Sequence, residues 1–242
     1  MLRQRLLPAI GVLFLLFLLP ACAPKLAKQT GLAAPELLAR GQQNLASKKY
    51  GKAIEAFQVL LERFPTSPLA SKAQLGLADA RMNNKDNVEA EVAFDDFLRL
   101  YPADDNVPYA IYRKGELLSR QASDPGRDQT KTVEAINAFT RMLEKDPKGP
   151  YASVAAVKIA ALRNRLAEHD KQVISHYLGR KRYSSAEARA RRALLEYPES
   201  AAVPSFLSFL AEALEKQGKK EEAAETRKSL VEKFPAPGGK KP

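Results

Sequence analysis

Apolar side chains recur along this chain at intervals of three and four, and the runs stop at prolines. Five times an alanine is followed twelve positions later by a proline: Ala53 and Pro65, Ala90 and Pro102, Ala135 and Pro147, Ala186 and Pro198, Ala223 and Pro235. Counted from each alanine, positions +4, +7, +8 and +11 read Phe57, Leu60, Leu61, Phe64 in the first copy and Phe94, Phe97, Leu98, Tyr101 in the second. Residues so spaced share one face of a helix. The third copy gives Phe139, Met142 and Leu143 before Asp146-Pro147, the fourth Ala190, Ala193, Leu194 and Tyr197, the fifth Arg227, Leu230, Val231 and Phe234. Each alanine is small enough for a preceding helix to lie close, and each proline forces the chain to turn. The pattern predicts five helix pairs of which these are the second members. Gly41, Ala78 and Ala211, each twelve residues before its alanine, mark three of the first members.

Helix pairs repeated in this way resemble the tetratricopeptide repeat, whose unit is about 34 residues. The expected fold is all-α, a solenoid of five such units in which each touches only its neighbours. Pro65, Pro102, Pro147, Pro198 and Pro235 stand 37, 45, 51 and 37 residues apart, so the excess falls in the middle, between residues 103 and 197. One source is visible. Tyr151 to Leu178 contains neither Gly nor Pro and is bracketed by Pro150 and Gly179, which predicts one long first helix for the fourth unit. At 1.5 Å per residue it is about 42 Å long, twice an ordinary repeat helix.

The amino terminus is of another kind. Arg3 and Arg5 precede an uncharged apolar run from Ile10 to Leu19, followed by Pro20-Ala21-Cys22. A membrane-spanning helix needs about 20 apolar residues, so residues 1–21 read as an export signal. The junction resembles a bacterial lipobox with Pro20 in place of the usual small residue, and makes Cys22, the single cysteine, the lipidation site. Residues 22–33 read as the lipidated end and a flexible tether, 34–235 as the repeat domain, and 236–242 as a disordered Pro- and Gly-rich tail.

Charge narrows the possible partners. The chain carries +11, and +9 without Arg3 and Arg5. Ten basic residues between Lys158 and Arg192 face only Glu168, Asp170 and Glu187. That excess is either a docking face for an acidic partner or anionic lipid, or a solvated helix face. Nucleic acid is not expected for an exported chain with so few interleaved aromatics. Within the window, Arg180, Arg182, Arg189, Arg191 and Arg192 crowd the fourth unit's second helix and the turn before it. Its inner face is Ala186, Ala190 and Ala193, so Arg189 and Arg192 are expected on an outer face with no reason to be buried. The first helices of units one to three are expected to line a concave groove for an extended peptide. Asp79, Met82, Tyr109, Tyr112 and Arg113 are its candidate residues, with packing between units the competing role for the two tyrosines.

The lipobox, the uneven repeat spacing, the segment Asn106-Val-Pro-Tyr-Ala-Ile-Tyr-Arg-Lys-Gly115, and Arg163-Asn-Arg-Leu-Ala-Glu-His169 followed by Tyr177 and Tyr197-Pro198 together resemble the BamD family, also labelled ComL or YfiO. The resemblance implies an outer-membrane lipoprotein facing the periplasm within the β-barrel assembly (BAM) complex. Implied partners are BamA through a POTRA domain, accessory BAM lipoproteins in some lineages, and unfolded outer membrane protein precursors. It also places the partner-facing arginine of the family at Arg189. The Ser119 to Thr130 connection is shorter than in the best-known members, and the carboxy-terminal tail is this chain's own. The alternative is another periplasmic repeat lipoprotein, a pilotin-like or cell-wall-associated adaptor.

Nothing in the sequence points to catalysis, a cofactor or a metal. His169 and His176 are about 10 Å apart along one helix, too far to share an ion, and no further cysteine is present. Asp104-Asp105 suit a turn or cap rather than acid–base work. No phosphate-cradling glycine loop or nucleophile elbow is present.

Overall fold

The computed structural model describes residues 31–235. These form ten helices and no strand: α1 (Ala34–Ala46), α2 (Tyr50–Arg63), α3 (Ala70–Asn84), α4 (Asn87–Leu100), α5 (Val107–Gln121), α6 (Thr130–Lys145), α7 (Ala152–Gly179), α8 (Tyr183–Glu196), α9 (Val203–Lys216) and α10 (Lys220–Lys233). The five expected pairs are present. The second helix of each ends two residues before its proline, and the cap residue between them has φ between −127° and −143°. Proline forbids the helical conformation to its predecessor, so the sequence sets each stop.

Pairing rests on the alanines and on the phenylalanine four residues later. Ala53, Ala90, Ala135, Ala186 and Ala223 are all buried, as are Phe57, Phe94 and Phe139. The Phe57 ring lies between Gly41 of its own unit and Gly76 of the next, and a Cβ at either glycine would run into it. In the third unit Gly115 does the same for Phe139, with a Cβ at 2.8 Å from the ring. Gly115 precedes its phenylalanine by 24 residues where Gly41 precedes Phe57 by 16. Most of the difference is the eight-residue connection 122–129, against three residues between α1 and α2. In the fourth unit the equivalent position is Ala190, and that cluster's buried phenylalanine is Phe206 of α9.

The second excess is α7, at 28 residues against 14 in α9. Its two halves serve different cores. Ala155 and Leu162 belong with α3 to α6, whereas Ala167, Ile174 and Leu178 belong with α8 and α9. The first half runs parallel to α5, with Tyr151 stacked on Tyr112 and Lys158 beside Glu116. The second half carries α8. The 122–129 connection docks on the middle of α7, where Arg165 donates to the carbonyls of Ala122 and Ser123 and His169 Nδ1 meets that of Pro125 at 2.6 Å. At the carboxy-terminal end no further unit among the described residues covers α10, and Val231 and Phe234 of the apolar row are exposed.

Candidate docking sites

Two polar networks are built into this scaffold. The first joins α3, α5 and α7. Asp79 is buried on α3 and accepts hydrogen bonds from Tyr109 (2.8 Å) and Arg113 (2.8 Å) of α5. Arg113 also donates to Glu116, which lies near Lys158 of α7. Burial disfavours the charge on Arg113, but the charge of Asp79 outweighs it and raises the pKa. The Tyr109 hydroxyl is pushed well above its ordinary range, by burial first and then by Asp79. The rings of Tyr109, Tyr112 and Tyr151 stand together, with centroids 4.7 to 5.6 Å apart. At one end of this cluster lies a hollow of about 390 Å³, lined by Leu75, Pro108, Tyr109, Asp146, Pro150 and Tyr151 among others.

These contacts change the expected groove. Tyr109 and Arg113 are partly accessible, while Tyr112 is buried and stacks on Tyr151 and against Phe139. Met82 is not on the groove at all. It is 2% exposed, inside the core that α3 shares with α4 and α5. The cause is that α3 is surrounded: eight of its fifteen residues are buried, on every side of the helix. A first helix covered by the preceding unit, its own partner and the following unit offers no free face to choose by pattern.

The second network joins α7, α8 and α10. Arg189 was expected on an outer face with no reason to be buried; instead it is a quarter exposed and paired within the chain. Its Nε (3.0 Å) and Nη2 (2.5 Å) both donate to Oδ1 of Asp170, whose side chain is 4% exposed. Oδ2 of Asp170 accepts no hydrogen bond among the described residues, and Arg192 Nη2 stands 3.7 Å from it. The neighbouring Tyr197 hydroxyl is pushed up to about 12, by burial first and then by the charge of Asp170. Asp170 was missed as a site residue, although a signal existed. It falls on the buried row Ala167, Asp170, Ile174, Leu178, and a carboxylate in such a row needs a cation opposite it. Arg191 is held by Glu187 of α8 and Glu222 of α10. Glu187 also takes Lys219 and Gln217. Hydrogen bonds from Lys219 first, then Gln217 and Arg191, keep its carboxyl below the ordinary range against the effect of burial. Arg180 and Arg182 lie in the turn between α7 and α8 and are exposed. Between the networks, a groove of about 470 Å³ runs past Leu143, Ala156, Ile159, Arg163 and Tyr197. Cys22 lies outside the described residues.

With this geometry in view, comparison with known proteins places the chain. The family model described as YfiO, outer membrane lipoprotein, matches residues 32–230, from the residue before α1's cap into α10. The chain belongs to the YfiO family. Relatives named "Outer membrane protein assembly factor BamD" include that of Neisseria meningitidis serogroup A, 32% identical over 212 residues, covering 83% of this chain and 79% of the relative. That of Vibrio cholerae is 28% identical, covering 83% of this chain and 87% of the relative. Among solved structures, a thermophilic tetratricopeptide-repeat protein of Thermus thermophilus covers 84% of this chain and 92% of its own at 20% identity, with a TM-score of 0.41. Both networks lie inside the span matched by the YfiO family. No helix among the described residues is long and apolar enough to cross a membrane.

Proposed function

We propose that this protein is the lipid-anchored scaffold of the β-barrel assembly machinery, held at the periplasmic face of the outer membrane by Cys22. It docks on a POTRA domain of BamA and helps receive unfolded outer membrane protein precursors, without enzymatic activity of its own. The observation that carries this reading is the match to named outer membrane protein assembly factors over most of this chain and most of the relatives' length.

The α7–α8 face is the surface we assign to BamA. Asp170 occupies Nε and one side of the Arg189 guanidinium, so its Nη1 remains to meet a carboxylate of the partner. A fork held in this way binds with little loss of side-chain freedom, which favours a specific contact. Arg192, more than half exposed, supplies a second cation beside it. The receiving surface is the concave side of units one to three, centred on Tyr109 and Arg113 with the hollow between Pro108 and Pro150. That hollow is walled by two rings, two prolines and Leu75, with Asp105, Asn106 and Asp146 also lining it, which suits an aromatic side chain of an extended peptide with a polar or basic neighbour. The test is affinity isolation of the full chain from solubilised outer membranes. Recovery of a POTRA-containing barrel protein supports the assignment, and recovery of a secretin or a cell-wall enzyme in its place transfers the protein to the adaptor class.

A further inference from the structure

The extra length of α7 displaces the end of the molecule. Since the first half of α7 runs beside α5, its 14 residues beyond ordinary length carry the fourth unit's internal turn about 21 Å further along the helix direction than the third's. The fifth unit's turn lies beside it, joined by Ser184 to Gln217 (3.3 Å) and by Glu187 to Gln217 and Lys219. Together residues 180–182 and 216–220 form a projecting tip that holds Arg180, Lys181, Arg182, Lys216, Lys219 and Lys220, all exposed. Of these, only Lys219 makes an ion pair, at 2.8 Å to Glu187. The others make no ion pair or side-chain hydrogen bond among the described residues. Of the nearest acids, Glu187 also serves Arg191, Glu215 pairs with Arg227 and Glu222 with Arg191, which leaves Glu221 in the first turn of α10 as the one acid beside the tip with no ion pair among the described residues.

The residue choices at the tip run against local stability. Lys181 has φ 58°, a left-handed conformation that favours glycine; Lys48 and Lys85 stand the same way in the turns of the first two units, φ 57° and 69°, and Gly218 does so in the fifth, φ 80°. Arg182 and Lys219 are the N-caps of α8 and α10, and neither makes a side-chain cap bond. Asp, Asn or Ser would cap there, and a cation stands against the positive end of the helix dipole. Three positions therefore carry positive charge where turn and cap chemistry favour glycine or an acid. The α1–α2 turn carries the same pair at Lys48 and Lys49, so what sets the tip apart is the number of cations that two adjoining turns bring together.

We propose that this tip docks on the anionic headgroups of a phospholipid bilayer, fixing the orientation of the solenoid relative to the membrane. The proposal rests on the lipoprotein reading only for where the membrane is. Cys22 stands 12 residues before α1, and an extended chain of that length reaches about 40 Å. A bilayer suits the tip better than a folded partner. The cations lie on two exposed turns and line none of the hollows described above, and Tyr183, the aromatic that follows Arg182, is partly buried in the α7–α9 core. Flexible point charges fit a fluid anionic surface, whereas Arg189, about 10 Å up the helix, is pinned in one geometry.

The test uses substitutions that the turn itself prefers. Lys181→Gly with Arg182→Asp removes three units of positive charge while supplying the favoured backbone residue and cap, so thermal stability should hold or rise. The mature lipidated protein carrying Ser185→Cys is labelled with a fluorophore at that site and reconstituted into vesicles of phosphatidylcholine alone, or of equal parts phosphatidylcholine and phosphatidylglycerol, each with nitroxide-headgroup lipid as quencher. Expected is strong quenching in the mixed vesicles, weak quenching in the neutral ones, and loss of the difference in the double variant. Each basic side chain close to an anionic surface contributes about a five-fold factor, so the ratio of docked to undocked tip should fall about a hundred-fold. Equal quenching in both vesicles, or full quenching in the double variant, overturns the proposal. Abolition by millimolar inorganic phosphate would assign the tip to a soluble phosphate. Absence of vesicle quenching, together with loss of BamA recovery in the double variant, would assign it to protein docking; either result removes the lipid claim.

Discussion

Replacing Arg189 by alanine would strip Asp170 of both its hydrogen bonds and leave a carboxylate with 4% of its side chain exposed. Breaking a buried ion pair from one side costs about 3–5 kcal/mol, because the remaining charge is left without compensation. Arg192 at 3.7 Å offsets part of this, and Arg189 is itself a quarter exposed, so the lower end applies, about 3 kcal/mol. In a domain of this size each kcal/mol lowers the melting temperature by about 2–4 °C, giving a drop of about 6–12 °C. Units couple only through neighbours, so the loss should concentrate in α7 to α10 and leave α1 to α4 protected. Circular dichroism melting gives the total and amide hydrogen exchange gives the distribution. The control is Arg189→Met with Asp170→Leu. It removes both charges at similar volume and should recover most of the lost stability. A melting temperature for Arg189→Ala within a degree of the parent, or exchange that quickens first in α1 to α4, would refute the pairing. This pairing also decides how the docking claim is tested: Arg189→Glu would set two acids together at a buried site and unfold the surface it was meant to probe. Arg192→Glu, on a side chain 54% exposed, is the cleaner reversal.

Ala53→Leu should overpack the α1–α2 pair at a cost of about 1–3 kcal/mol, seen in melting, since Ala53 has no exposed surface. Gly115→Ala brings a methyl group to 2.8 Å from the Phe139 ring and should cost a similar amount, with increased exchange confined to the units around α5 and α6. Glu187 has a folded pKa below its unfolded value, so its contribution is present above about pH 4.5 and is lost as the pH falls through the lower folded value. The melting difference between the parent and Glu187→Gln should therefore be largest near neutrality and shrink under acid; a difference that does not change with pH would contradict it. A photocrosslinker at Asn106, beside the Pro108–Tyr109 hollow, should capture unfolded barrel precursors, and one at Glu62 on the second helix of the first unit should not.

The features that were legible in the sequence are those that depend on neighbours along the chain. Each proline acts on the residue before it, so all five second helices end where expected, and the gap between Pro150 and Gly179 placed α7 within one residue of its ends, Ala152 and Gly179. What escaped depends on contacts across helices. Met82 was misplaced because an enclosed helix such as α3 has no polar side to orient it. The Asp170–Arg189 pair spans 19 residues and two helices, and no periodicity connects its members. A charge count assigned ten cations to one basic surface, but packing divided them. Lys158, Lys171, Arg189, Arg191 and Arg192 have acids of their own, Arg165 holds a loop, and the unpaired remainder gathers chiefly at the tip.

The assignment of the α7–α8 face to BamA is the claim on which the functional account turns, and site-specific photocrosslinking in living cells tests it most directly. A photoreactive residue at Arg192, exposed and adjacent to the Asp170–Arg189 pair, should yield an adduct with BamA, while the same residue at Glu62 should yield none. An adduct with BamA at Glu62 and none at Arg192 would contradict the account and return the arginines of α8 to a role in holding the fourth and fifth units together.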